Sequence, residues 1–470
     1  MLSENLDLRK QNIHLMGVGG AGMSALAILL HEIGANVSGC DTVLSSYTDK
    51  LEAQGIQVRV GHNQQHINEF MANILVYSSA IPSDHPEILR AWQQGITVCR
   101  RAEILSVVFN SRRGIGVAGT HGKTTTSSMI SVVLENAGLD PSIAIGGEVL
   151  QLKTNAKLGK GEFMSAELDE SDRSFVYFHP EIAVVTNIDW DHRDHYMTFK
   201  SVTDAFAEFL SNVKKDGCVI LFADDPGIKT LLKEYQIDKE IITYGFGTDF
   251  DYGATNLSYK DGGGITYDLY KKGKFVTNID LQISGEHNVL NSLATIAASE
   301  KCGLSIEQIK PGLALFVGAK RRLQKKGEVA GVLVYDDYGH HPNEIIATLK
   351  TMRKIFKNRR IVAIFQPHRF SRTAALYKEF AEALSLADRA LILPIYGSDE
   401  KPIEGISSKL IFDAASHDAR SHYELSGSFD DLVNTVCNVA RSGDVFVTLG
   451  AGSVGTLGEK ILDNLRKTRN

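Results

Sequence analysis

Cysteine is scarce in this chain of 470 residues: Cys40, Cys99, Cys218, Cys302 and Cys437 are the five. They are scattered, odd in number and include no C-x-x-C pair, which argues against a disulfide framework and against a zinc ribbon. No apolar run reaches the ~18 residues that a membrane span needs. The N-terminal stretch MLSENLDLRKQ is polar and lacks the apolar centre of a signal peptide. An excess of positive charge is also missing. Lys and Arg number 50 against 56 Asp and Glu, for a formal net charge of -6. No global basic field therefore exists to hold nucleic acid by its phosphates, although a local basic site remains open. The expectation is a cytoplasmic protein with neither a membrane nor a nucleic-acid partner.

What is present is ordinary globular material, 43% hydrophobic and 23% charged, which excludes wholesale disorder. At roughly 150 residues per domain, the length predicts about three domains. Glycine is in excess, 42 residues or about 9% against an average near 7%, and its placement is informative. IHLMGV (13–18) reads as a buried strand ending in glycines, MSALAILLHEIG as a helix stopping at Gly34, and NVSGCD as a strand ending in an acid. ILVYSSA and ITVCR add further strands, so this region predicts an open parallel sheet. A second strand–glycine loop–helix unit follows, GIGVAG into THGKTTTSSMISVVLENAG, with EIAVVTNID and CVILFAD as more buried strands. Residues 249–285 alternate apolar and polar around glycine turns, which predicts antiparallel sheet, and HNVLNSLATIAASEKCG predicts a helix. After AKRRLQKKGE come GVLVYDDYG, RIVAIFQPHR, ALILPIYGS and DVFVTLGAG, again parallel in type. The fold class expected is α/β with three domains: a Rossmann-like one over 1–112, a central P-loop ATPase-like sheet with an antiparallel portion over 113–318, and a Rossmann-like one over 319–470.

Two glycine loops carry chemistry. Gly17-Val18-Gly19-Gly20-Ala21-Gly22 fits G-x-G-x-x-G between a strand and a helix. There a backbone approaches an anion closely and a helix N-terminus offers unpaired N–H groups. Asp41 ends the next strand, where a ribose-binding acid would stand. A tight turn without ligand is the plain alternative. The second loop, Gly119-Thr120-His121-Gly122-Lys123-Thr124-Thr125, is a shortened P-loop, since Val117 stands where the strict pattern has its first glycine. Its backbone still suits phosphate, Lys123 suits the terminal phosphates, and the Thr124 hydroxyl suits Mg²⁺. A dehydrogenase has no use for the second loop, and a kinase seldom carries the first on a separate domain. Two different nucleotides, one of them an energy source, account for both.

Acids and histidines follow the strands. Glu167-Leu168-Asp169-Glu170-Ser171-Asp172 follows GEFMSA, and Glu167 at the strand end is the best carboxylate for a magnesium ion. Asp189-Trp190-Asp191-His192-Arg193-Asp194-His195 follows AVVTNI, at the carboxyl end of a parallel strand, where ligands bind. In the last region, Asp336-Asp337-Tyr338-Gly339-His340-His341-Pro342 and Gln366-Pro367-His368-Arg369-Phe370-Ser371-Arg372 each end a strand. Arginine forks in the latter suit a carboxylate or phosphate, with surface ion pairing as the alternative.

HLMGVGGAGMS, GTHGKTTT, AELDESDRSF, EIAVVTNIDWDHRDHY, GEHNVLN, AKRRLQ, YDDYGHHPNEI, FQPHRFSRT and TLGAGSVG, in this order and over nearly the whole length, resemble the Mur ligases, ATP-dependent amide-forming ligases of peptidoglycan precursor synthesis. The resemblance is strongest to the member that joins L-alanine to UDP-N-acetylmuramate. It implies that Gly17, Gly19, Gly20, Gly22 and Ser24, with Asp41 and Ser79, hold the UDP-sugar. It implies that Gly119, Thr120, His121, Gly122, Lys123, Thr124 and Thr125 bind ATP. Asn288 and Asn291 match the adenine-side motif, and Arg322 (or its neighbour Arg321) and Asp337 match residues that close over ATP. Thr124, Glu167 and His192 match the magnesium site, with Lys123, Glu167 and His192 as the catalytic set. Tyr338, His368, Arg369 and Arg372 match the region that receives alanine. The cofactors implied are ATP and Mg²⁺, the partners UDP-N-acetylmuramate and L-alanine, and the state a monomer or a homodimer.

Departures narrow the choice. Siblings adding later amino acids carry a lysine about fourteen residues past the metal histidine, and here that position is Phe206. Asp337 is followed by YGHHP where some siblings have a lysine, so His340 is a candidate substitute. The runner-up is the relative that attaches a recycled peptide to the same sugar nucleotide. The compact loop GVGGAGMS favours the alanine enzyme. A folylpolyglutamate-synthase-like ligase is disfavoured by residues 1–112, and a non-enzymatic nucleotide sensor by Lys123, Glu167 and His192.

Overall fold

The computed structural model describes residues 6–78, 80–190, 195–260, 263–398 and 400–469. Among these the strands form three sheets. The N-terminal sheet contains β1 (Asn12–Met16), β2 (Asn36–Asp41), β3 (Gln57–Val60), β4 (Ile74–Tyr77) and β5 (Thr97–Arg100), in the order β3-β2-β1-β4-β5. Every pairing in it is parallel. β3, short and only partly apolar as QVRV, is not among the sequence-predicted strands. The order reverses direction between β1 and β4, which opens a crevice at their carboxyl ends. Helix α1 (Ala21–Ile33) covers one face, while α2 (Ser46–Ala53), α3 (His66–Glu69), α4 (Pro86–Gln93) and α5 (Arg101–Asn110) complete the layer structure. Alternation along β1 divides the core. Ile13 and Leu15 face the large apolar cluster that includes α1, and Met16 faces a smaller one with Cys40, Ile67 and Ile88.

The central sheet contains β6 (Arg113–Ala118), β7 (Ser142–Val149), β8 (Thr154–Lys157), β9 (Phe163–Glu167), β10 (Ile182–Val185), β11 (Cys218–Phe222), β12 (Glu240–Phe246), β13 (Tyr252–Tyr259), β14 (Ile265–Lys271) and β15 (Lys274–Leu281). Its order is β15-β14-β13-β12-β11-β10-β6-β9-β7-β8. The antiparallel portion begins later than the alternation suggests, because β13 pairs parallel with β12. β14 and β15 are joined by Lys272 and Gly273 at φ 48° and 76°. Two residues cannot carry a parallel crossover, so that pair is a hairpin of primed-turn type. β7 and β8 form a second antiparallel pair with an irregular register between Ala144 and Val149. Helices α6 (Lys123–Asn136), α7 (Phe199–Ser211), α8 (Pro226–Glu234), α9 (Glu286–Lys301) and α10 (Ile306–Leu315) accompany this sheet in the chain.

The C-terminal sheet contains β16 (Gln324–Val329), β17 (Val332–Asp337), β18 (Ile361–Phe365), β19 (Arg389–Ile392), β20 (Tyr423–Leu425) and β21 (Val445–Leu449), ordered β16-β17-β21-β18-β19-β20. All pairings are parallel except β16 with β17. The antiparallel edge β16 arises from the charged QKKGEV run. At an edge, one face of a strand can stay in water, so no apolar signature is required. Helices α11 (Pro342–Ile355) and α12 (Phe370–Leu384) follow β17 and β18. By internal contacts the chain has two compact units. One is Met1–Ser258, Thr266–Gln282 and Asn288–Val317; the other is Tyr259–Ile265, Ile283–His287 and Gly318–Asn470. No helix among the described residues is long and apolar enough to cross a membrane.

Candidate functional site

The first glycine loop leaves β1 at the crevice. Gly17 has φ +91°, and an added Cβ there would lie 3.0 Å from the Ser78 Cβ at the end of β4. A side chain would therefore be strained both by conformation and by space. The Gly17 and Val18 N–H groups donate to the Cys40 carbonyl at 2.8 and 3.2 Å. The Gly19 N–H donates to Asp41 Oδ2 at 2.8 Å. The Asp41 carboxylate thus braces the loop. Gly20 is the N-cap of α1, no side chain caps that helix, and no acid lies in its first turn. Its first-turn N–H groups are the natural place for a phosphate. Arg101, at the start of α5, belongs to none of the sequence motifs: a Cβ on Gly22 would lie 3.3 Å from its Nη1. Ser24 is buried, and its hydroxyl donates to the Ala21 carbonyl at 2.9 Å. Ser79 lies outside the described residues.

The second loop leaves β6 and enters α6. Gly119 has φ +129°, and an added Cβ would lie 2.2 Å from Thr186 Oγ1 and 2.9 Å from the Asn187 carbonyl oxygen, so only glycine fits against β10. Asn187 clamps the loop from that strand's end. Its Oδ1 accepts from the His121 N–H at 2.9 Å, its Nδ2 donates to the His121 carbonyl at 2.8 Å, and its own carbonyl accepts from the Thr120 N–H at 3.1 Å. The Asp189 N–H donates to Thr120 Oγ1 at 2.9 Å. Gly122, at φ +86°, is the N-cap of α6, again with no side-chain cap and no acid in the first turn.

Three charged groups converge there. Lys123 Nζ lies 2.7 Å from Glu170 Oε2 and donates to the Gly119 carbonyl at 2.7 Å. Burial opposes the Lys123 charge, but Glu170, Asp169 and Glu167 outweigh it and hold the ammonium above the ordinary lysine pKa. The group is therefore a cation at any physiological pH. Thr124 Oγ1 donates to Glu167 Oε1 at 2.9 Å, and the Gly146 N–H donates to Glu167 Oε2 at 2.7 Å. A Cβ on Gly146 would meet the Glu167 carboxylate at 2.8 Å, so this glycine keeps space for the acid. His192 lies outside the described residues. Asn288 and Asn291 are buried one turn apart in α9, with Asn291 Nδ2 donating to Asn288 Oδ1 at 3.2 Å. Asn291 Oδ1 would be 2.9 Å from a Cβ on Gly122, which puts this asparagine pair beside the phosphate loop. Phe206, where siblings carry a lysine, is fully buried in α7, its ring 5.1 Å from that of Phe175.

The two loops share a compact unit, and β7 connects them. Gly146 touches Glu167, Gly147 lies beside Thr124, and Glu148 pairs with Lys50 of α2 at 2.7 Å. On the adjoining hairpin strand, Asn155 Nδ2 donates to the Ala21 carbonyl at the mouth of α1, 2.8 Å away.

In the other unit, residues at the carboxyl ends of β17 and β18 and beyond β19 form an aromatic row. Tyr338 and His340 are 5.3 Å apart, His340 and His368 5.7 Å, and His368 stacks on Tyr396 at 5.8 Å. Arg372 Nη1 lies 3.4 Å from His368 Nδ1, and Arg369 at φ +71° donates its N–H to the Tyr396 carbonyl. Tyr396 is a member that no motif pointed to. Burial, helped by Arg372 and opposed by Glu344, pulls the His340 pKa down to about 4, so its imidazole is neutral. Asp337 is buried, accepting from the Gly339 and Leu323 N–H groups at 2.8 and 2.7 Å, and burial holds its pKa above the ordinary value. Of the two adjacent arginines, Arg321 is absorbed by the fold, bonded to Asp336 at 3.1 Å and to the carbonyls of Gly450 and Gly452. Arg322 lies over the Tyr338 ring at 5.4 Å and 3.8 Å from Glu344.

Comparison with known proteins agrees with this layout. Residues 12–113 match the model of the Mur ligase family catalytic domain, 117–299 the Mur ligase middle domain, and 321–452 the Mur ligase glutamate ligase domain. A UDP-N-acetylmuramate–L-alanine ligase of Syntrophus aciditrophicus is 40% identical over 98% of this chain and 95% of its own. One of Nitratidesulfovibrio vulgaris is 41% identical over 96% of this chain and 98% of its own. Among solved structures, the UDP-N-acetylmuramate–alanine ligase of Thermotoga maritima superimposes with a TM-score of 0.81 at 28% identity, covering 97% of this chain and 99% of its own. A murein peptide ligase of Psychrobacter arcticus gives 0.73 at 25%, covering 96% and 98%. With all three domain models in sequence order and relatives this similar along nearly the full length, the chain belongs to the Mur ligase family.

Proposed function

We propose that this chain joins L-alanine to the carboxylate of UDP-N-acetylmuramate at the expense of ATP, giving UDP-N-acetylmuramoyl-L-alanine, ADP and phosphate. The observation that carries the chemistry is the pair Lys123 and Thr124 at the uncapped glycine loop, with Glu167 of β9 accepting from Thr124. The alanine assignment is supported by the full-length relatives at 40 and 41% identity. The peptide-ligase alternative has the weaker structural likeness, 0.73 against 0.81.

A free carboxylate resists attack by an amine because it is anionic and has no leaving group. Transfer of the γ-phosphoryl group of ATP to that carboxylate forms an acyl phosphate, and catalysis of the transfer is positioning plus electrostatics. Lys123 leaves Glu170 for the phosphates, exchanging one anionic partner for another, so the ammonium is never buried alone. The Thr124 hydroxyl and the Glu167 carboxylate are hard oxygen donors 2.9 Å apart, a pair that fits Mg²⁺. These two, with His192, would hold the ion, whose charge offsets that of the phosphates. The Asn187 clamp fixes the loop N–H groups before ATP arrives. The first loop and Arg101 hold the UDP diphosphate. The neutral amine of alanine then attacks the acyl carbonyl, and the tetrahedral species collapses to amide and phosphate. Arg372 and Arg369, beside His368 and Tyr338, take the alanine carboxylate.

Phosphate release tests this. ATP and UDP-N-acetylmuramate should release phosphate with L-alanine and not without an amino acid. Release only with an L-alanyl peptide would overturn the assignment in favour of the peptide ligase. No release with any amine would remove the chain from this chemistry altogether.

A further inference from the structure

On the face of the N-terminal sheet opposite α1, four side chains from four elements meet: His14 of β1, Cys40 of β2, His66 of α3 and Glu87 of α4. All four are buried, and one donor atom from each lies within 4.8 Å of every other. His14 Nε2 and His66 Nδ1 approach the same oxygen, Glu87 Oε1, at 3.3 and 3.4 Å. Both are contacts at ion-pair distance, and beyond them none of the three buried atoms has a hydrogen-bond partner. Buried polar atoms are seldom left so. Three in one place, aimed at a common point, call for a cation.

The remaining atoms of these residues are in use in the manner of ligands held by their surroundings. His14 Nδ1 is 2.9 Å from Ser38 Oγ. Glu87 Oε2 accepts from the Asn63 N–H at 3.0 Å. Cys40 Sγ lies 3.1 Å from His62 Nδ1. His14 is further fixed by stacking on Phe70 at 5.2 Å. Burial, against the pull of Glu87, lowers the His14 pKa, and burial raises that of the Cys40 thiol above its usual range. A cation bound at Cys40 would take its sulfur as the thiolate.

We propose that His14, Cys40, His66 and Glu87 form a structural site for a divalent transition metal of the zinc type, which pins α3 and α4 to the sheet behind the first glycine loop. The donor set of one sulfur, two imidazole nitrogens and one carboxylate oxygen suits a tetrahedral borderline-soft ion over Mg²⁺. Bonds of about 2.0–2.3 Å place tetrahedral ligand atoms roughly 3.3–3.8 Å apart. The His14–Glu87 and His66–Glu87 separations already fall there, and small rotations complete the contraction. Charge also balances: a thiolate and a carboxylate cancel a divalent ion, whereas without it the buried Glu87 Oε1 has only the two imidazoles beside it. α3 has only four residues, too short to be stable by its own hydrogen bonds, so a tether through His66 has structural value.

The site is enclosed, so the metal should enter during folding. The full chain is therefore produced in zinc- and in cobalt-supplemented medium and exchanged into EDTA, which strips ions held at the surface or at the nucleotide loops. Elemental analysis should find about one zinc or cobalt per chain. The cobalt form should show a thiolate-to-cobalt charge-transfer band. Cys40→Ser should abolish that band, and Glu87→Gln should lower retention about tenfold or more. Cys40→Ala is held in reserve in case the serine variant does not fold. Wild-type protein that is folded but metal-free from both media would overturn the proposal, leaving the cluster a metal-free histidine–glutamate network. A charge-transfer band that survives in folded Cys40→Ser would overturn it too, since another cysteine would then be the ligand.

Discussion

The two glycine loops use one backbone device and differ in how they supply charge. Both leave a parallel strand, both end on a glycine N-cap without a side-chain cap, and both open a helix with no acid in its first turn. Around Gly17–Gly22 the brace is Asp41, an anion that occupies the Gly19 N–H, and Arg101 lies at the rim. Around Gly119–Thr125 the brace is the neutral amide of Asn187, while Lys123, Glu167 and Glu170 lie within reach of one another's partners. A loop braced by an anion and served by a helix dipole suits a diphosphate that has only to be held. A loop with a buried lysine and paired carboxylates suits a phosphate that has to be transferred, because charge must then be met as it moves.

The sharpest way to break this contrast is Lys123→Ala. Phosphate release should fall by at least about 10²–10³-fold, while the affinity for UDP-N-acetylmuramate, measured by calorimetry, stays within about twofold. Loss of sugar-nucleotide binding would mean that the loops are not separate sites. Asn187→Ala should be next, lowering kcat/KM for ATP by roughly 10- to 100-fold through displacement of His121. An unchanged ATP dependence in steady-state kinetics would demote the clamp to a bystander. Gly19→Ala places a Cβ 2.8 Å from the Asp41 carboxylate. It should weaken UDP-N-acetylmuramate binding by about tenfold and leave the KM for ATP in place, the mirror image of the second variant. The smallest effect concerns neither loop. His340 has its pKa pulled to about 4, below the unfolded value near 6.5. The unfolded chain therefore binds the extra proton first as pH falls. This contribution is fully present above about pH 6.5 and is lost progressively toward pH 4. Denaturant melts at both ends of that window should show His340→Gln losing less stability on acidification than the parent chain. An equal loss would place the acid sensitivity elsewhere.

Most strands of the parallel cores were legible because buried parallel strands are continuous apolar runs that end in glycine or polar residues, as IHLMGV and RIVAIF do. What escaped was mostly edge material, together with two interior strands of the central sheet, β7 (SIAIGGEV) and β12 (EIITYGF). QVRV became β3, QKKGEV became β16 and the three-residue YEL became β20, each too short or too polar to stand out. The parallel pairing of β13 with β12 escaped as well, since alternation reports one buried face and not the direction of the neighbour. At the site, residues in contiguous motifs were found, and residues that act from elsewhere were not. Asn187 lies inside a quoted motif, yet nothing in its spacing says that it grips His121. Tyr396 and Arg101 lie outside the motifs altogether.

The sequence alone determined which backbones can approach phosphate, because a glycine loop between strand and helix is a local property that needs no partner. It also determined that Phe206 stands where sibling enzymes place a lysine. Only the tertiary structure decided which charges meet: Lys123 with Glu170, Thr124 with Glu167, and His14, Cys40, His66 and Glu87 around one point. Those encounters depend on the order of strands in a sheet and the alternation of its faces. No spacing along the chain encodes a distance of a few ångströms between residues that lie 20 or 40 positions apart.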